Sequence, residues 1–232
     1  MKKMLFIDMD GTITEWKPGT LEEVSRPRYS SELAVNGTAI EALSLIHKES
    51  KNCAFDIYIL SAVIPDTTAI DDKNEWLDKF CPYIQRDHRL FVPYGANKAN
   101  FVMNALHTNL AECYLLDDYS INLNQWREAG GHPIKMFNRI NGKSMSYVGD
   151  YTCSWLDPEQ MKNDVLRIMG LFANTDIREI ILNLINENAA NLDDDSQTNY
   201  GKGYAEGYQD ALVDVLYKLN WADLAEEIGY FN

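Results

Sequence analysis

Short apolar runs alternate with segments of helical periodicity over residues 4–137. Each apolar run is long enough for one buried strand, and the runs cover residues 4–8, 55–60, 90–92, 113–117 and 134–137. The segments between them place apolar side chains three and four residues apart, as amphipathic helices do, over residues 38–50, 71–80, 98–107 and 121–129. Strands that alternate with helices predict a doubly wound α/β fold around a mostly parallel sheet.

Two parts of the chain interrupt this alternation. Residues 13–37 follow the first predicted strand and are rich in proline, glycine and polar side chains, with one helical turn predicted around Leu21–Val24. An insertion at this position predicts a small cap over any site at the end of that strand. Near residue 150 the alternation stops, and Asp157 followed by Pro158 predicts a helix that runs to about residue 173. We therefore expect a core over residues 1–175.

The remaining residues, 176–232, are predicted to form a helical C-terminal extension. An acidic, polar linker covers 191–199, and helical patterns cover 176–189, 203–219 and 221–228. Tyr200, Tyr204 and Tyr208 form a stripe that predicts packing on the core or on a second copy, which would make the protein a homo-oligomer through these helices. The neighbouring Gly201-Lys202-Gly203 lacks the preceding strand and the spacing of a phosphate-binding loop.

The amino-acid composition limits the kinds of binding partner and the cellular compartment that we expect for this protein. Lys and Arg number 21 against 35 Asp and Glu, and the net charge of −14 argues against nucleic acid or an anionic membrane as the main partner. The first apolar run ends at Asp8 and is too short for a signal peptide or a membrane span. The four cysteines form no CxxC pair, which favours free thiols in a reducing compartment. We expect a cytoplasmic protein.

Two pairs of aspartates stand where predicted strands end. Asp8 and Asp10 follow the first strand, where Gly11 permits a sharp turn, and Asp117 and Asp118 end the strand at 113–117. Parallel strands bring their carboxyl ends to one edge of the sheet, where open α/β sheets bind ligands. Carboxylates gathered there could serve as a nucleophile, as a general acid and base, or as ligands of Mg²⁺.

A hydroxyl and a lysine complete the predicted cluster. Ser61 follows the second strand directly, and Lys98 begins the helix predicted at 98–107. Both groups can hold the equatorial oxygens of a phosphoryl group, over which charge spreads during transfer. With the aspartates they indicate phosphate-ester hydrolysis.

These residues also resemble the motifs of a known family. The segment Asp8-Met9-Asp10-Gly11-Thr12 looks like motif I of the haloacid dehalogenase (HAD) superfamily of phosphatases. Ser61, Lys98 and the pair Asp117-Asp118 are similar to its second, third and fourth motifs, in the same chain order. The resemblance covers residues 4–175 and implies a HAD-like, Rossmannoid fold. It also implies Mg²⁺-dependent hydrolysis of a phosphomonoester through a phospho-aspartate.

The resemblance assigns a role to each matching residue. Asp8 would be the nucleophile and a Mg²⁺ ligand, and Asp10 would be the general acid and base, with its backbone carbonyl on the metal. Asp118 would be the third protein ligand, and Asp117 a further ligand or a group that orients the ligands. The residues that would bind the transferring phosphoryl group are Ser61, Ala62 and Lys98.

Within the superfamily, the chain looks most like bacterial and phage proteins grouped with the 5′(3′)-deoxyribonucleotidases. The similar stretches are 73–77, 91–95 and 115–123, followed by Trp126 and Gly130-Gly131. This likeness implies a 5′-deoxynucleoside monophosphate as substrate. Residues 13–37 are shorter than the helical cap of many such nucleotidases, so another small phosphometabolite, such as a sugar phosphate, stays open.

A function of another class stays open too. The core could sense a phosphoryl group while the C-terminal helices bind a partner, which would make the protein a binding or scaffold protein. In the insertion, the side chains that could touch a substrate are those of Glu15, Trp16, Arg26 and Arg28.

Overall fold

A computed structural model describes residues 2–15, 17, 19–138, 140–141 and 149–171. Within this part of the chain, one parallel sheet of six strands has the spatial order β3-β2-β1-β4-β5-β6. The strands are β1 Met4–Ile7, β2 Asp56–Val63, β3 Arg89–Pro93, β4 Cys113–Asp117, β5 His132–Phe137 and β6 Tyr151–Cys153.

Helices connect these strands, and capping side chains mark the starts of some of them. The helices are α1 Leu21–Val24, α2 Gly37–Cys53, α3 Ala69–Phe80, α4 Lys98–Leu106, α5 Ser120–Glu128 and α6 Pro158–Ile168. Asn36, Asn97 and Asp157 precede α2, α4 and α6, and each accepts a hydrogen bond from a backbone N–H of the first turn. Pro158 occupies the first position of α6, where its missing N–H costs nothing.

The strand order creates a crevice at the middle of the sheet. From β1 the chain moves outward to β2 and β3, and it then returns to the other side of β1 with β4. The connections on the two sides run in opposite directions, so the loops after β1 and β4 separate at the carboxyl edge. Ligands of open α/β sheets bind at this kind of position. Asp8 stands there, and its backbone N–H donates to Leu116 O at 2.9 Å.

Apolar side chains cover both faces of the central strand. Phe6 packs with Leu60, Val92 and Trp126 in a buried cluster that also takes in residues of α4 and α5. Leu5 and Ile7 alternate with Phe6 along the strand and are buried on the opposite face. A strand buried on both faces reads as a continuous apolar run, which explains the pattern at residues 4–8.

The doubly wound fold predicted from the sequence is confirmed, and three local predictions are wrong. The strand β6 was not expected, because Tyr151-Thr152-Cys153 is too short and too polar to form an apolar run. Ser61 lies inside β2 rather than after it, since the pairing with β3 continues to Val63. The helix predicted from Pro158 ends at Ile168 instead of about 173, and Gly170 follows with a φ of +63°.

The predicted C-terminal helices at 176–189, 203–219 and 221–228, the linker 191–199 and the tyrosine stripe lie outside the described residues. They stay predictions, as does the division of the chain into residues 1–175 and 176–232. Among the described helices, none combines the length and the apolar character needed to cross a membrane.

Candidate active site

A tight turn after β1 brings two parts of the site together. Gly11, within the turn Met9–Ile13, has a φ of +81°, which disfavours residues with a side chain. A Cβ atom at this position would lie 2.5 Å from Oδ2 of Asp118. The backbone therefore approaches the Asp118 carboxylate as closely as it does only because residue 11 is glycine.

Asp8, Asp117 and Lys98 form a buried ionic group at the ends of β1 and β4. The Lys98 ammonium group donates to Asp8 Oδ1 at 2.6 Å and to Asp117 Oδ2 at 2.7 Å. Lys98 comes from the first turn of α4, and all three residues are almost completely buried. A buried charge is stable only when it is paired, so this lysine holds the two carboxylates in place.

The neighbouring aspartates 117 and 118 have different surroundings. Both oxygens of Asp117 take hydrogen bonds from the protein: Oδ1 accepts from the backbone N–H of Tyr119, and Oδ2 accepts from Lys98 and Asn122. Asp118 is more open, and its Oδ2 accepts from Asn138 Nδ2 at 2.9 Å. Asp118 therefore has more free acceptor capacity for a cation than Asp117 has.

The three carboxylates form a group that could hold a metal ion. Asp8, Asp117 and Asp118 each offer an oxygen, and these ligand atoms lie within 4.8 Å of one another. Oxygen donors with full negative charge suit a hard divalent cation such as Mg²⁺, which typically binds through one or two carboxylates, water and substrate phosphate. The donor set of this site fits that ion.

The pKa values of the cluster reflect its crowding of negative charge. Burial raises the pKa of Asp8 to about 8, against the lowering effect of Lys98. Burial likewise raises the pKa of Asp118 to about 7, and the Asp117 charge adds to the effect. Burial works against the charged form of Lys98, but Asp117 and Asp8 outweigh it and raise the pKa of that lysine. A divalent cation would replace the protons that Asp8 and Asp118 otherwise hold.

The Asp10 side chain turns toward β2 and α3. Its Oδ2 accepts a hydrogen bond from Ser61 Oγ at 3.2 Å and a second from the ammonium group of Lys73. Lys73 also donates to Ser61 Oγ at 2.7 Å. Ser61 and Lys73 are buried, while the Asp10 side chain keeps 33% of its exposure. Asp10 is thus attached to the protein on one side and open to the cavity on the other.

Side chains from β5 and from the loop after it hold Asp118 in place through hydrogen bonds. Asn138 uses one amide group to donate both to Asp118 Oδ2 and to Gly11 O, each at 2.9 Å. The buried ammonium group of Lys135 donates to the Asp118 carbonyl oxygen, which also accepts from Asn141 Nδ2 at 3.0 Å. These contacts fix the backbone and the side chain of Asp118 at the same time.

A cavity of about 650 Å³ opens above the cluster. Its floor carries Asp8, Asp10, Lys73, Lys98 and Asp118. The insertion 13–37 contributes one wall, with Glu15, Lys17, Leu21, Val24 and Tyr29. Tyr94, Tyr119 and Ile140 line the cavity from loops after the strands. Its volume falls in the range of ordinary small-molecule sites.

The insertion is tied to the core at its base and at its far end. Thr14 and Val35 form an antiparallel bridge where the insertion leaves and rejoins the core. Trp76 of α3, almost completely buried, donates from Nε1 to Leu33 O at 2.9 Å. An ion pair between Arg28 and Glu75 at 3.6 Å adds an exposed link. The insertion is therefore packed on α3, the helix that also carries Lys73.

Five of the predicted site residues line this cavity, and two are fully buried beside it. The lining residues are Asp8, Asp10, Ala62, Lys98 and Asp118, and the buried ones are Ser61 and Asp117. Asp8, Asp117, Asp118 and Lys98 are in direct contact or close together, while Asp10 and Ser61 form a neighbouring group. Ala62 lines the cavity beside Ser61. Of the insertion residues named from the sequence, Glu15 reaches the cavity, and Trp16 lies outside the described residues. Arg26 bonds to the Glu23 carbonyl and Arg28 to Glu32 and Glu75.

Sequence reasoning missed Lys73, Lys135 and Asn138. Lys73 stands in the apolar stripe of α3, one turn before the buried Trp76, and a charged residue in such a stripe was the available signal. Lys135 similarly stands inside the apolar run 134–137. Asn138 follows β5 directly, so the strand-end rule that selected Asp8 and Asp117 would have selected it too.

Comparisons with known proteins bear on the fold. No protein-family model matches the chain, and no curated protein matches it either. Two solved structures of D,D-heptose 1,7-bisphosphate phosphatases are similar to it. The one from Burkholderia thailandensis has a TM-score of 0.50 and 13% identity, over 71% of this chain and 99% of that one. The one from B. bronchiseptica, complexed with magnesium and phosphate, has the same TM-score and identity over 71% of this chain and 98% of its own.

At 13% identity this likeness concerns the fold. It confirms the doubly wound α/β architecture expected from the sequence, and it shows that phosphatases use the same architecture. The described part of the chain therefore has a doubly wound, Rossmannoid α/β fold, with a cluster of acidic residues at its topological switch point.

Proposed function

We propose that the chain is a Mg²⁺-dependent phosphomonoester hydrolase of the HAD superfamily, acting through a phospho-aspartate on Asp8. One observation carries the proposal. The buried Asp8 carboxylate is paired with Lys98 and lies in a cluster with Asp117 and Asp118, on the floor of a cavity of about 650 Å³. An acidic cluster with a buried lysine suits phosphoryl transfer, in which the protein mainly supplies position and charge.

Asp8 and Asp118 would hold the metal ion. Asp117, whose two oxygens are already hydrogen-bonded to the protein, would orient Lys98 and the loop after β4. The chemistry that bound Mg²⁺ supplies is neutralisation of the charge that the carboxylates and the phosphoryl oxygens bring together.

In the first step, a carboxylate oxygen of Asp8 attacks phosphorus and the bond from phosphorus to the ester oxygen breaks. Asp10 gives its proton to the departing ester oxygen, so the alcohol leaves neutral. Lys98 orients Asp8 through its hydrogen bond to Oδ1. The product is an acyl phosphate on Asp8.

In the second step, water attacks the phosphorus atom of this acyl phosphate. Asp10, now a carboxylate, takes the proton from the water, and the bond between phosphorus and the Asp8 oxygen breaks. Inorganic phosphate leaves, Asp8 is again a carboxylate, and Asp10 is again protonated. Ala62, which lines the cavity on β2, would hold the phosphoryl oxygens through both steps, while the buried Ser61 hydroxyl stays bonded to Asp10 instead of taking the phosphoryl role expected from the sequence.

The substrate we favour is a 5′-(deoxy)nucleoside monophosphate. The cavity walls carry the aromatic rings of Tyr29, Tyr94 and Tyr119 above the acidic floor. Tyr94 is 70% exposed and Tyr119 55% exposed, so their rings are available to a ligand. A planar base can stack on such rings while its phosphate reaches Asp8. This supports the resemblance of the sequence to the deoxyribonucleotidases.

A second candidate is a sugar phosphate or a related hydroxyl-rich ester. The same cavity carries Glu15, Asn122 and Asn141, which can hydrogen-bond to hydroxyl groups. The hydroxyl groups of such a substrate would bond to these polar side chains, and it would have no planar base to stack on the tyrosine rings.

The test is phosphate release from the full-length protein with a panel of nucleoside monophosphates and sugar phosphates, with Mg²⁺ and with EDTA. The proposal expects release that needs Mg²⁺ and that disappears in Asp8→Asn. A preference for nucleotides supports the first candidate and a preference for sugar phosphates the second. Release that persists in EDTA or in folded Asp8→Asn protein contradicts the mechanism.

A further inference from the structure

Lys73 is a buried charged residue for which the proposed mechanism has no role so far. It lies on α3 with 3% of its surface exposed, one turn before Trp76. Its ammonium group reaches into the site and contacts Asp10 and Ser61. Burying a lysine costs free energy unless its charge is paired, and here the pairing partner is Asp10, the proposed acid and base.

We infer that Lys73 positions Asp10 for proton transfer, an inference that rests on the proposed function. Lys73 and Ser61 both bond to the same oxygen of Asp10, Oδ2. The carboxylate is thereby held at one end, and its other oxygen, Oδ1, serves the ester oxygen in the first step and the water in the second. Lys73 acts through Asp10 and is a positioning residue.

The surroundings of Lys73 make it suitable for this task. A proton donor is effective only when it is held within hydrogen-bonding reach of the atom it serves. Asp10 lies in the irregular turn after β1 and keeps 33% side-chain exposure, so its own backbone does not immobilise the carboxylate. Lys73 comes instead from a packed helix whose next turn buries Trp76 and Leu77 almost completely. The helix gives the acid and base a rigid support.

The competing role for Lys73 is direct binding of the transferring phosphoryl group. The two roles differ in how they depend on the leaving group. An aryl ester such as 4-nitrophenyl phosphate has a leaving group that departs without a proton, whereas a nucleoside or alkyl phosphate needs one. Loss of acid positioning therefore harms the unactivated ester selectively, and loss of phosphoryl binding harms both esters equally.

The experiment measures kcat/KM for 4-nitrophenyl phosphate and for the best unactivated ester in wild type, Lys73→Met, Lys73→Arg and Asp10→Asn. The quantity kcat/KM reports the step in which the ester bond breaks. Lys79→Met is the matched control, since Lys79 lies on the same helix but is exposed. We expect Lys73→Met to lose at least about 10-fold more on the unactivated ester than on the aryl ester, as Asp10→Asn does, because general acid catalysis is worth about 10² or more.

Lys73→Arg should restore part of the wild-type ratio of kcat/KM between the unactivated ester and the aryl ester. Lys79→Met should leave this ratio unchanged. Equal losses on both esters in Lys73→Met overturn the inference in favour of phosphoryl binding, and no loss on either ester overturns it as well.

A crystal structure of Lys73→Met gives a second readout that does not depend on turnover. The inference expects Asp10 Oδ2 to leave hydrogen-bonding distance of Ser61 Oγ, and a carboxylate that stays there contradicts it. If the wild-type protein cleaves neither ester, the proposed function fails by itself. The crystal structure then still decides whether Lys73 fixes the position of Asp10.

Discussion

The ammonium nitrogen of Lys98 lies 2.6 Å from Asp8 Oδ1, so the residue proposed as nucleophile is paired with a buried cation. The same nitrogen contacts Asp117 at 2.7 Å. Asp8 follows β1 and Asp117 ends β4, which are adjacent parallel strands at the switch point of the sheet. One lysine therefore compensates a carboxylate on each side of the crevice.

Replacing Lys98 with methionine should destabilise the protein in a way that depends on pH. Removing one partner of a buried ion pair typically costs about 3–5 kcal/mol, because the remaining charge is left uncompensated. At pH 8 we expect the free energy of unfolding to fall by about that amount. At pH 5 the loss should be smaller, since carboxylates freed from the lysine can take up protons. Urea denaturation at both pH values measures this loss in the free energy of unfolding.

The control for this variant is Lys79→Met, which removes an exposed lysine and should change the free energy of unfolding by less than about 0.5 kcal/mol. An equal loss at pH 5 and pH 8 in Lys98→Met would show that packing, and not charge pairing, is the main contribution of Lys98.

Asp8→Asn should abolish turnover without unfolding the protein. The raised pKa of Asp8, about 8 against an ordinary value of 3.8, means that the folded state binds a proton more tightly than the unfolded state does. Without metal, the ionised Asp8 therefore costs stability progressively as the pH rises from about 4 to about 8. Asparagine carries no charge. We expect the Tm of Asp8→Asn in EDTA at pH 8 to equal or exceed that of wild type, and a lower Tm contradicts this.

Mg²⁺ should stabilise the protein more at pH 8 than at pH 6. Burial raises the pKa of Asp8 to about 8 and that of Asp118 to about 7. At pH 6 the metal must therefore displace protons from both groups, whereas at pH 8 Asp118 is mostly ionised and Asp8 about half ionised. The increase in Tm on adding Mg²⁺, measured at both pH values, tests this. Asp118→Asn should lose most of the increase, and Glu41→Gln, an exposed change of the same kind, should keep it. An increase in Tm that is the same at both pH values would contradict binding of Mg²⁺ by Asp8 and Asp118.

The strands that the sequence predicted well are those whose apolar side chains are buried on both faces. Cys113–Asp117 is predicted to the residue, since each of its five positions is buried and a charge pair marks its end. Tyr151–Cys153 was missed because an edge strand of three residues with one buried position carries no comparable pattern. Strand prediction from hydrophobicity therefore follows the apolar run and not the position in the sheet, since β3 at the opposite edge carries such a run and was found.

The residues of the candidate site also differ in how well the sequence predicts them. Asp8 and Asp117 were found because they follow apolar strands, and their chemistry is evident from residue type. Lys73 reaches Asp10 from a helix, and that contact depends on how α3 packs beside β2, which one sequence does not encode in any short pattern. Long-range packing of helices onto the sheet thus determines the part of the site that motifs do not reveal.

Gly11→Ala should disrupt the acidic cluster even though residue 11 has no side chain in the wild type. The new Cβ would lie 2.5 Å from Asp118 Oδ2, at a φ of +81° that alanine rarely adopts. We expect a loss of about 1–3 kcal/mol in the free energy of unfolding and a weaker response of Tm to Mg²⁺. Gly95→Ala also has positive φ but meets no atom within 4 Å, so it separates backbone strain from the clash. Equal metal responses in the two variants would contradict a specific effect on Asp118.

Trp76→Phe should loosen the insertion over the cavity while leaving the sheet intact. The change removes the indole N–H that Leu33 O accepts, and an unpaired buried carbonyl costs about 1–3 kcal/mol. In the insertion, Lys17 and Arg26 precede prolines, so trypsin should cut after Arg28, which is largely exposed. We expect faster cleavage after Arg28 and a higher KM with little change in kcat, since the insertion forms a wall of the cavity but does not carry the acidic cluster.

Trp155→Phe, at a half-exposed tryptophan, is the control. Unchanged cleavage in Trp76→Phe would mean that the bridge at Thr14 and Val35 is sufficient to hold the insertion in place.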